Sequence, residues 1–421
     1  MLNREDNELI VRSGPETGMG KLLRRFWTPA MLSSELPEPD CAPVRLTLLG
    51  EQLVAFRDSE GRIGILDAYC PHRRAHLFWG RNEACGLRCA YHGWKFDRNG
   101  NCVDLPNVSN GEMIKDNIKT TAYAAVERSG VVWCYMGPPE LCPKLPEAEL
   151  FDLPESHRYV EKIVIPTNWI QSMEGDIDSS HVGFLHKRLD EKPLFKGQSA
   201  NVFADKAPRW TVKNTDYGIV LAARREAGPE NYSWRVNQWL MPYTTLVAHA
   251  AERPFITNIR VPMDDETSIH FRIYARYDKP LTEDDMKTVR DGLLFPEMIP
   301  GTFQTVANRS NNYLIDRQLQ KYGNFSGIKS VPVQDYAVTS DQGGGPIADR
   351  TKERLTSSDT AIVMMRKKLL EAAKALAHGS EPPEAQRPAS YRVRSAEVTL
   401  PRDVDGVEGT RKYTDMTAAA R

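Results

Sequence analysis

The stretch that most limits what this chain can be lies between Tyr69 and Trp94, where Cys70-x-His72 is followed by Cys89-x-x-His92. Two sulfur and two imidazole donors in two short loops point to a metal, in a chain with only seven cysteines and nine histidines. Two readings fit the spacing. A structural zinc site uses such knuckles, and so does a two-iron, two-sulfide centre that puts both cysteines on one iron and both histidines on the other. One Cys and one His per loop suits the second reading, because each loop then straddles both irons. Pro71 stiffens the first loop, and Gly93 ahead of Trp94 permits a tight turn beneath an apolar shield. His76 has no second donor at ligand spacing and reads as a packing or surface residue. Cys41, Cys85, Cys102, Cys134 and Cys142 likewise read as ordinary buried or half-buried thiols.

At 421 residues, 41% hydrophobic and 26% charged, the chain exceeds one average globular domain. Its 55 basic and 56 acidic residues leave a net charge of -1, so no general attraction to nucleic acid or anionic lipid is expected. The charged opening "MLNREDNELIVRSGPE" lacks the apolar core of a signal peptide, and no apolar run approaches the roughly 18 residues of a membrane span. A cytoplasmic protein is the expectation.

From about 44 to 103, short apolar runs punctuated by Gly, Asp and Ser predict a small antiparallel domain, with Asn99-Gly100 as a hairpin turn. "AAVERSGVVWCYMGPP" adds a hairpin, and the Pro-rich run from Pro138 to Pro154 reads as a linker. The expected domains are therefore 1–155 and 156–421. In the second, "TNWIQSMEGDIDSSHVGFLHKRL" reads as a helix interrupted at Gly175 and Gly183, and "NYSWRVNQWLMPYTTLVAHA", "FITNIRVPM" and "SIHFRIYARYD" read as strands. Helices are expected at 282–294, around 301–321 and from Ser358 to His378, where Gly379 ends the run. The polar tail to Arg421 is expected to drape over the surface or stay disordered. This alternation of strand-rich and helical stretches is an α+β pattern.

The segment from Leu48 to about Pro106 resembles the Rieske domain family. That resemblance implies a 2Fe-2S cluster on Cys70, His72, Cys89 and His92, with Tyr91 close by; Arg74 stands where many Rieske oxygenases carry glycine. Further on, Asp178-x-x-His181-x-x-x-x-His186 resembles the mononuclear iron motif of Rieske ring-hydroxylating oxygenases. Two imidazoles and one carboxylate on one face of Fe(II) leave positions open for dioxygen. On a straight helix, histidines five residues apart diverge by about 140°. The chain must bend or break between them, and Gly183 is the expected place. Resemblance to the phthalate dioxygenase-like branch implies Asp335 as the carboxylate, with Asp316 as the competitor, more simply explained as a helix-surface partner of an Arg. Glu174-Gly175 stands where related sequences often read Glu-Asn.

The resemblance runs to about residue 380 and implies an oxygenase α-subunit, with an antiparallel β Rieske domain and a helix-grip catalytic domain. It implies O2 as co-substrate and electrons from NADH through a separate flavin and iron-sulfur reductase, since the chain has no Gly-rich dinucleotide fingerprint of its own. It also implies a homotrimer or stacked trimers in which Asp178 bridges His181 to a cluster histidine of the neighbouring subunit. The implied reaction is cis-dihydroxylation of an aromatic substrate. A monooxygenase or O-/N-demethylase on the same scaffold, and an electron-transfer protein without catalytic iron, are the rivals. Arg224, Arg225 and Arg260 lie on or beside apolar strands, where a guanidinium is costly unless paired. Arg225 or Arg260 is expected to grip an aromatic carboxylate bidentately, the alternative being salt bridges to groups such as Glu226 and Asp264.

Overall fold

The computed structural model describes residues 2–190, 200–248 and 253–416. The chain forms two compact units, one spanning Ser13–Pro143 and the other combining Met1–Arg12 with Lys144–Arg421. The passage between units thus falls at Pro143, ahead of the expected boundary near residue 155. The N-terminal helix Arg4–Val11 belongs to the second unit because Asn168 Nδ2 donates to the Val11 carbonyl at 2.9 Å and Lys374 pairs with Asp6 at 2.6 Å.

The Ser13–Pro143 unit is built on two antiparallel sheets. The six-stranded sheet runs Thr28–Leu32, Val131–Tyr135, Ala122–Arg128, Ile63–Asp67, Glu51–Arg57, Val44–Leu48. Ser129 and Gly130, both at positive φ, make the tight turn that the right-handed strand twist favours. The four-stranded sheet is Arg81–Glu83, Gly86–Arg88, Lys95–Phe96 and Cys102–Asp104, with Gly100 in the left-handed region where the sequence sets its turn. Cys70 and Cys89 sit in the apolar core of this unit beside Leu77, Leu87 and Phe96.

The second unit carries an antiparallel eight-stranded sheet in the order Arg158–Ile165, Ser268–Ala275, Phe255–Pro262, Thr244–Val247, Asn231–Leu240, Gly218–Glu226, Arg209–Asn214. The eighth strand is Ala396–Pro401, paired with Asn231–Val236. His249 and Ala250, the end of one expected strand run, lie outside the described residues. The helix Trp169–Ile177 and the helix Val331–Thr339 supply the site described below. The expected helix near 282–294 is realised as Glu283–Arg290, capped reciprocally by Thr282 and Asp285. The long C-terminal helix is Thr360–Ala377.

Two expectations fail. The region 301–321 is not one helix, because Asn312, Tyr313 and Leu314 all adopt left-handed backbone that turns Tyr313 into a core with Ile163, Ile328 and Val333. Only Arg317–Tyr322 is α-helical there. The tail is neither draped nor disordered up to residue 416: Ala396–Pro401 completes the sheet, and the helix Gly406–Thr414 follows, with Val407 packed beside Trp234. Gly406 is the seat of that helix, since a Cβ there would lie 2.2 Å from the Trp234 ring. Gly406→Ala should therefore lower stability by about 1–3 kcal/mol, the usual cost of overpacking, read as a fall in the urea midpoint of this unit.

Candidate active site

The cluster cradle is made by two loops closed in the same way. The Cys70 amide donates to the Ala75 carbonyl and the Arg74 amide to the Cys70 carbonyl, both at 2.9 Å. In the second loop the Cys89 amide donates to the Trp94 carbonyl at 2.8 Å and the Gly93 amide to the Cys89 carbonyl at 3.0 Å. Four residues after each cysteine the backbone is left-handed, at φ 57 for Arg74 and φ 78 for Gly93. The first loop meets this requirement with an arginine, the second with a glycine. The Arg74 guanidinium lies over the Tyr69 ring at 4.8 Å and pairs with Asp67 at 3.2 Å.

The loops bring all four expected donors together. Cys70 and Cys89 are buried side by side, and the His72 and His92 rings lie 4.5 Å apart. Trp94 stacks on His72 at 4.5 Å with the planes 7° apart. Burial, then the neighbouring Cys89, pushes the Cys70 thiol up to about 12, so a thiolate there needs a cation in place of its proton. His72 Nδ1 is buried without a protein partner, as an atom reserved for a ligand bond would be. Tyr91 is exposed with its ring against His92, and His76 caps a short turn by accepting from the Phe78 amide.

In the second unit the Trp169–Ile177 helix ends at Asp178, whose backbone is extended. A single 3-10 turn, His181–Gly183, follows, and the chain then leaves helical geometry at Phe184. The break thus comes just after Gly183, where the chain runs so close to the Val202 carbonyl that a Cβ would stand 2.8 Å from it. His181 and His186 can then face each other, with their Nε2 atoms 3.1 Å apart. Asp335 Oδ1, on the Val331–Thr339 helix, lies 3.5 Å from His181 Nε2 and 3.2 Å from His186 Nε2. Asp316 is elsewhere, capping the Arg317–Tyr322 helix.

The outer ring nitrogens fix the tautomers. Gln334 Nε2 donates to the Ile328 carbonyl, which leaves its Oε1 to accept from His186 Nδ1 at 2.7 Å. Asp178 Oδ2 accepts from His181 Nδ1 at 3.3 Å, while Asp178 Oδ1 takes the Ser180 amide at 2.6 Å. Both Nε2 atoms therefore present lone pairs to each other and to a carboxylate oxygen, an arrangement that only a shared cation makes favourable. Burial acts against the carboxylate of Asp335, yet His186 and His181 hold it below its ordinary value. Burial likewise opposes the charged ring of His181, which Asp178 nonetheless raises. Gln334 escaped sequence reasoning, although its place directly before Asp335 was the available signal.

Beside this triad lies a cavity of ≈ 130 Å³. Arg235, Arg253, Arg272, Asn237 and Asn258 line it with Asp178, His181, His186 and Asp335. A hydrocarbon-lined cavity of about 150 Å³ takes up benzene, so this space suits one ring. Neither Arg225 nor Arg260 lines it, and their expected clamp role is corrected here. Arg225 is buried and spends its donors on the Asp205 carbonyl and on Ser179 Oγ and carbonyl oxygen. Arg260 makes two 2.7 Å bonds to Asp176. Arg224 stacks over Tyr232 at 4.2 Å. The three arginines that do line the cavity were missed: Arg235 and Arg272 because period-two alternation divides a strand into two faces without saying which one meets a ligand, and Arg253 because it precedes its strand. Arg235 with Asn237, and His270 with Arg272, carried the signal as polar pairs two residues apart within buried strands.

Burial lowers Arg272 and drives Arg253 down to about 10, while the Nε atoms of Arg235 and Arg272 are buried without a protein acceptor. Arg235 pairs with Glu397 at 2.8 Å.

Comparison with known proteins finds family matches for most of the chain. Residues 26–123 match the Rieske [2Fe-2S] domain and residues 134–417 match the LigXa C-terminal domain like family. The chain belongs to the Rieske non-haem iron oxygenases, as an oxygenase subunit of the phthalate dioxygenase-like branch. It is 39% identical to the 3-chlorobenzoate-3,4-dioxygenase oxygenase subunit of Comamonas testosteroni, over 95% of this chain and 96% of that one. It is 38% identical to the phthalate 4,5-dioxygenase oxygenase subunit of Pseudomonas putida, over 98% and 96%. A further relative, at 32% over 91% and 83%, is the 5,5'-dehydrodivanillate O-demethylase oxygenase subunit of Sphingobium sp.. Among solved structures, dicamba monooxygenase bound to dicamba shares the fold, with a TM-score of 0.60 at 19% identity, covering 86% of this chain and all of that one. Among the described residues no helix is long and apolar enough to cross a membrane.

The reassignment of Arg260 is checked by stability. Arg260→Met strands the Asp176 carboxylate in the cavity wall, and loss of one partner from so buried a pair should cost about 3–5 kcal/mol, seen by thermal or urea unfolding.

Proposed function

We propose that this chain is the oxygenase component of a multicomponent system that uses O2, and electrons from NADH passed on by a separate reductase, to hydroxylate a single-ring aromatic carboxylate. The observation that carries the proposal is the pair of imidazole lone pairs and the Asp335 oxygen directed at one point beside a ring-sized cavity. Cys70, Cys89, His72 and His92 would hold the 2Fe-2S cluster, and His181, His186 and Asp335 a mononuclear Fe(II). When bound, the cluster supplies single electrons and the Fe(II) a place for dioxygen next to the substrate. Asp178 holds His181 in the ligating tautomer, and Gln334 does the same for His186.

In a homotrimer or stacked trimers, Asp178 would bridge His181 to a cluster histidine of the neighbouring subunit. Exposed Phe184, Leu189, Tyr322 and Phe325 support an interface, since they leave apolar surface beside His186. Localisation in the cytoplasm is the proposed setting, in keeping with a supply of NADH there. Dioxygenation is favoured by the two dioxygenase relatives at 39% and 38% identity; the demethylase relative supports monooxygenation as the second reading.

The substrate acid is proposed to meet Arg253 and Arg272, with Arg235 held beside them by Glu397. Each charge-assisted contact should be worth about 1.5–3 kcal/mol, on the order of ten- to a hundredfold in affinity. Arg253→Met should therefore weaken binding of a benzoate or phthalate by that factor while leaving the neutral amide unaffected, measured by titration of both ligands. Equal effects on acid and amide would sink the carboxylate reading.

The iron reading is tested on Asp178→Asn and the wild-type chain together. Wild type should contain three irons per chain, and Asp178→Asn should keep all three yet lose nearly all turnover. Two irons in wild type would mark an electron carrier. With 18O2, two labelled atoms in the product would mean dioxygenation and one would mean monooxygenation.

A further inference from the structure

Within and behind the cavity wall, the central strands Phe255–Pro262 and Ser268–Ala275 place four polar side chains on one buried face. Asn258 is directly across from Arg272, and Arg260 from His270. Residues two apart on a strand share a face, so the four form a square. None of it is exposed beyond a few per cent, and burying so much polarity is unfavourable unless every group is bonded to something that needs it.

The bonds of this square run in one direction. Asn258 Nδ2 donates to Asp176 Oδ1 at 2.7 Å. That leaves Asn258 Oδ1 as an acceptor, and His270 Nε2 lies 3.0 Å from it. His270 Nε2 must carry the hydrogen, so His270 Nδ1 accepts, and the Tyr336 hydroxyl donates to it at 2.7 Å. The sequence Tyr336 to His270 to Asn258 to Asp176 uses each donor once and ends on a carboxylate that also takes both Arg260 bonds. Burial and the cations Arg260 and Arg272 keep His270 well below its ordinary value, which is the neutral ring the chain of bonds requires.

The two ends of this chain are informative. Asp176 is two residues ahead of Asp178 on the Trp169–Ile177 helix that leads into His181. Tyr336 directly follows Asp335 on the Val331–Thr339 helix. We propose that Tyr336, His270 and Asn258 are positioning residues that tie the segment carrying the histidines to the segment carrying Asp335, so that the three ligand atoms are brought together before any metal arrives. This inference rests on the reading of His181, His186 and Asp335 as an Fe(II) site. Helices that pack only through apolar contact can slide by fractions of an ångström at little cost; a chain of directional hydrogen bonds across two strands removes that freedom.

The test is an anaerobic Fe(II) titration of the full-length chain with its cluster loaded and its mononuclear site emptied, read by competition with a colorimetric ferrous chelator. Tyr336→Phe removes one oxygen and should raise the Fe(II) dissociation constant about tenfold, leaving the cluster absorption unchanged. Asn258→Ala should weaken binding similarly, and the double variant should lose less than the product of the two single losses, because the first cut already frees the chain. Tyr313→Phe is the control: Tyr313 packs in the same apolar cluster as Tyr336 and lies outside the bonded chain. Wild-type affinity in Tyr336→Phe, fully independent losses in the double variant, or an equal loss in Tyr313→Phe would each overturn the proposal. A wild-type chain that binds no third iron would instead overturn the underlying site reading, so the two failures are distinct.

Discussion

Two imidazole lone pairs held 3.1 Å apart and facing a carboxylate oxygen are mutually repulsive in an empty protein, and much of the catalytic unit exists to keep them so. The constraint starts in local sequence. A helix would send His181 and His186 to different sides, so the helix stops at Ile177 and the chain breaks again at Phe184, just after Gly183 passes the Val202 carbonyl. Each histidine then needs its outer nitrogen committed elsewhere, or its tautomer would drift. Asp178 supplies this for one ring from the same segment, and Gln334 for the other from the helix that also brings Asp335. One dipeptide therefore delivers both a candidate ligand and the orienting group of another.

Holding such a site costs burial of charge, and the unit offsets part of that by giving several of its buried and half-buried arginines a fixed anion. Glu174 lies between Arg350 and Arg366, and Arg366 in turn pairs with Glu353. Asp176 is matched to Arg260 and Glu397 to Arg235. Pairs like these contribute little net stability, because desolvation cancels most of the attraction, but they are expensive to break and so fix geometry. Glu174 and Asp176 lie on the same helix, only two residues apart, and it is the helix that aims Asp178. Arg253 and Arg272 line the cavity together with Arg235, and burial lowers both Arg253 and Arg272.

How far the sequence revealed this depended on whether the information was local. The cluster donors sit in two short loops, so spacing alone brought Cys70, His72, Cys89 and His92 together. His181 and His186 were legible through the resemblance of Asp178-x-x-His181-x-x-x-x-His186 to a family motif, and helix geometry then required a break between them. Asp335 is distant in sequence, and only resemblance pointed to it. Arg225 and Arg260 were misjudged because a strand pattern says that a guanidinium is buried without naming its partner; Asp176 and the Ser179 carbonyl come from another element. The 301–321 helix failed where tertiary packing of Tyr313 overrode helical propensity. The strand Ala396–Pro401 was hidden because its pattern is short and ends on a proline in an otherwise polar tail.

The cluster loops carry the same logic into the smaller unit. Their equivalent closures mean that the cradle is set by backbone hydrogen bonds from the two cysteines, so the donors are in place through the main chain and not through the metal alone. Such a closure demands left-handed backbone four residues on, which Gly93 adopts freely and Arg74 does only at a cost of about 1–2 kcal/mol. Gly93 has no freedom to be anything larger, since a Cβ would meet Pro106 at 2.7 Å in a conformation already unfavourable for it. Arg74 is exposed and has room for a side chain, and its stacking on Tyr69 with the Asp67 pair offsets part of the strain. The same backbone requirement thus admits an arginine in the open loop and only glycine in the crowded one, and the difference follows from what lies next to each Cβ.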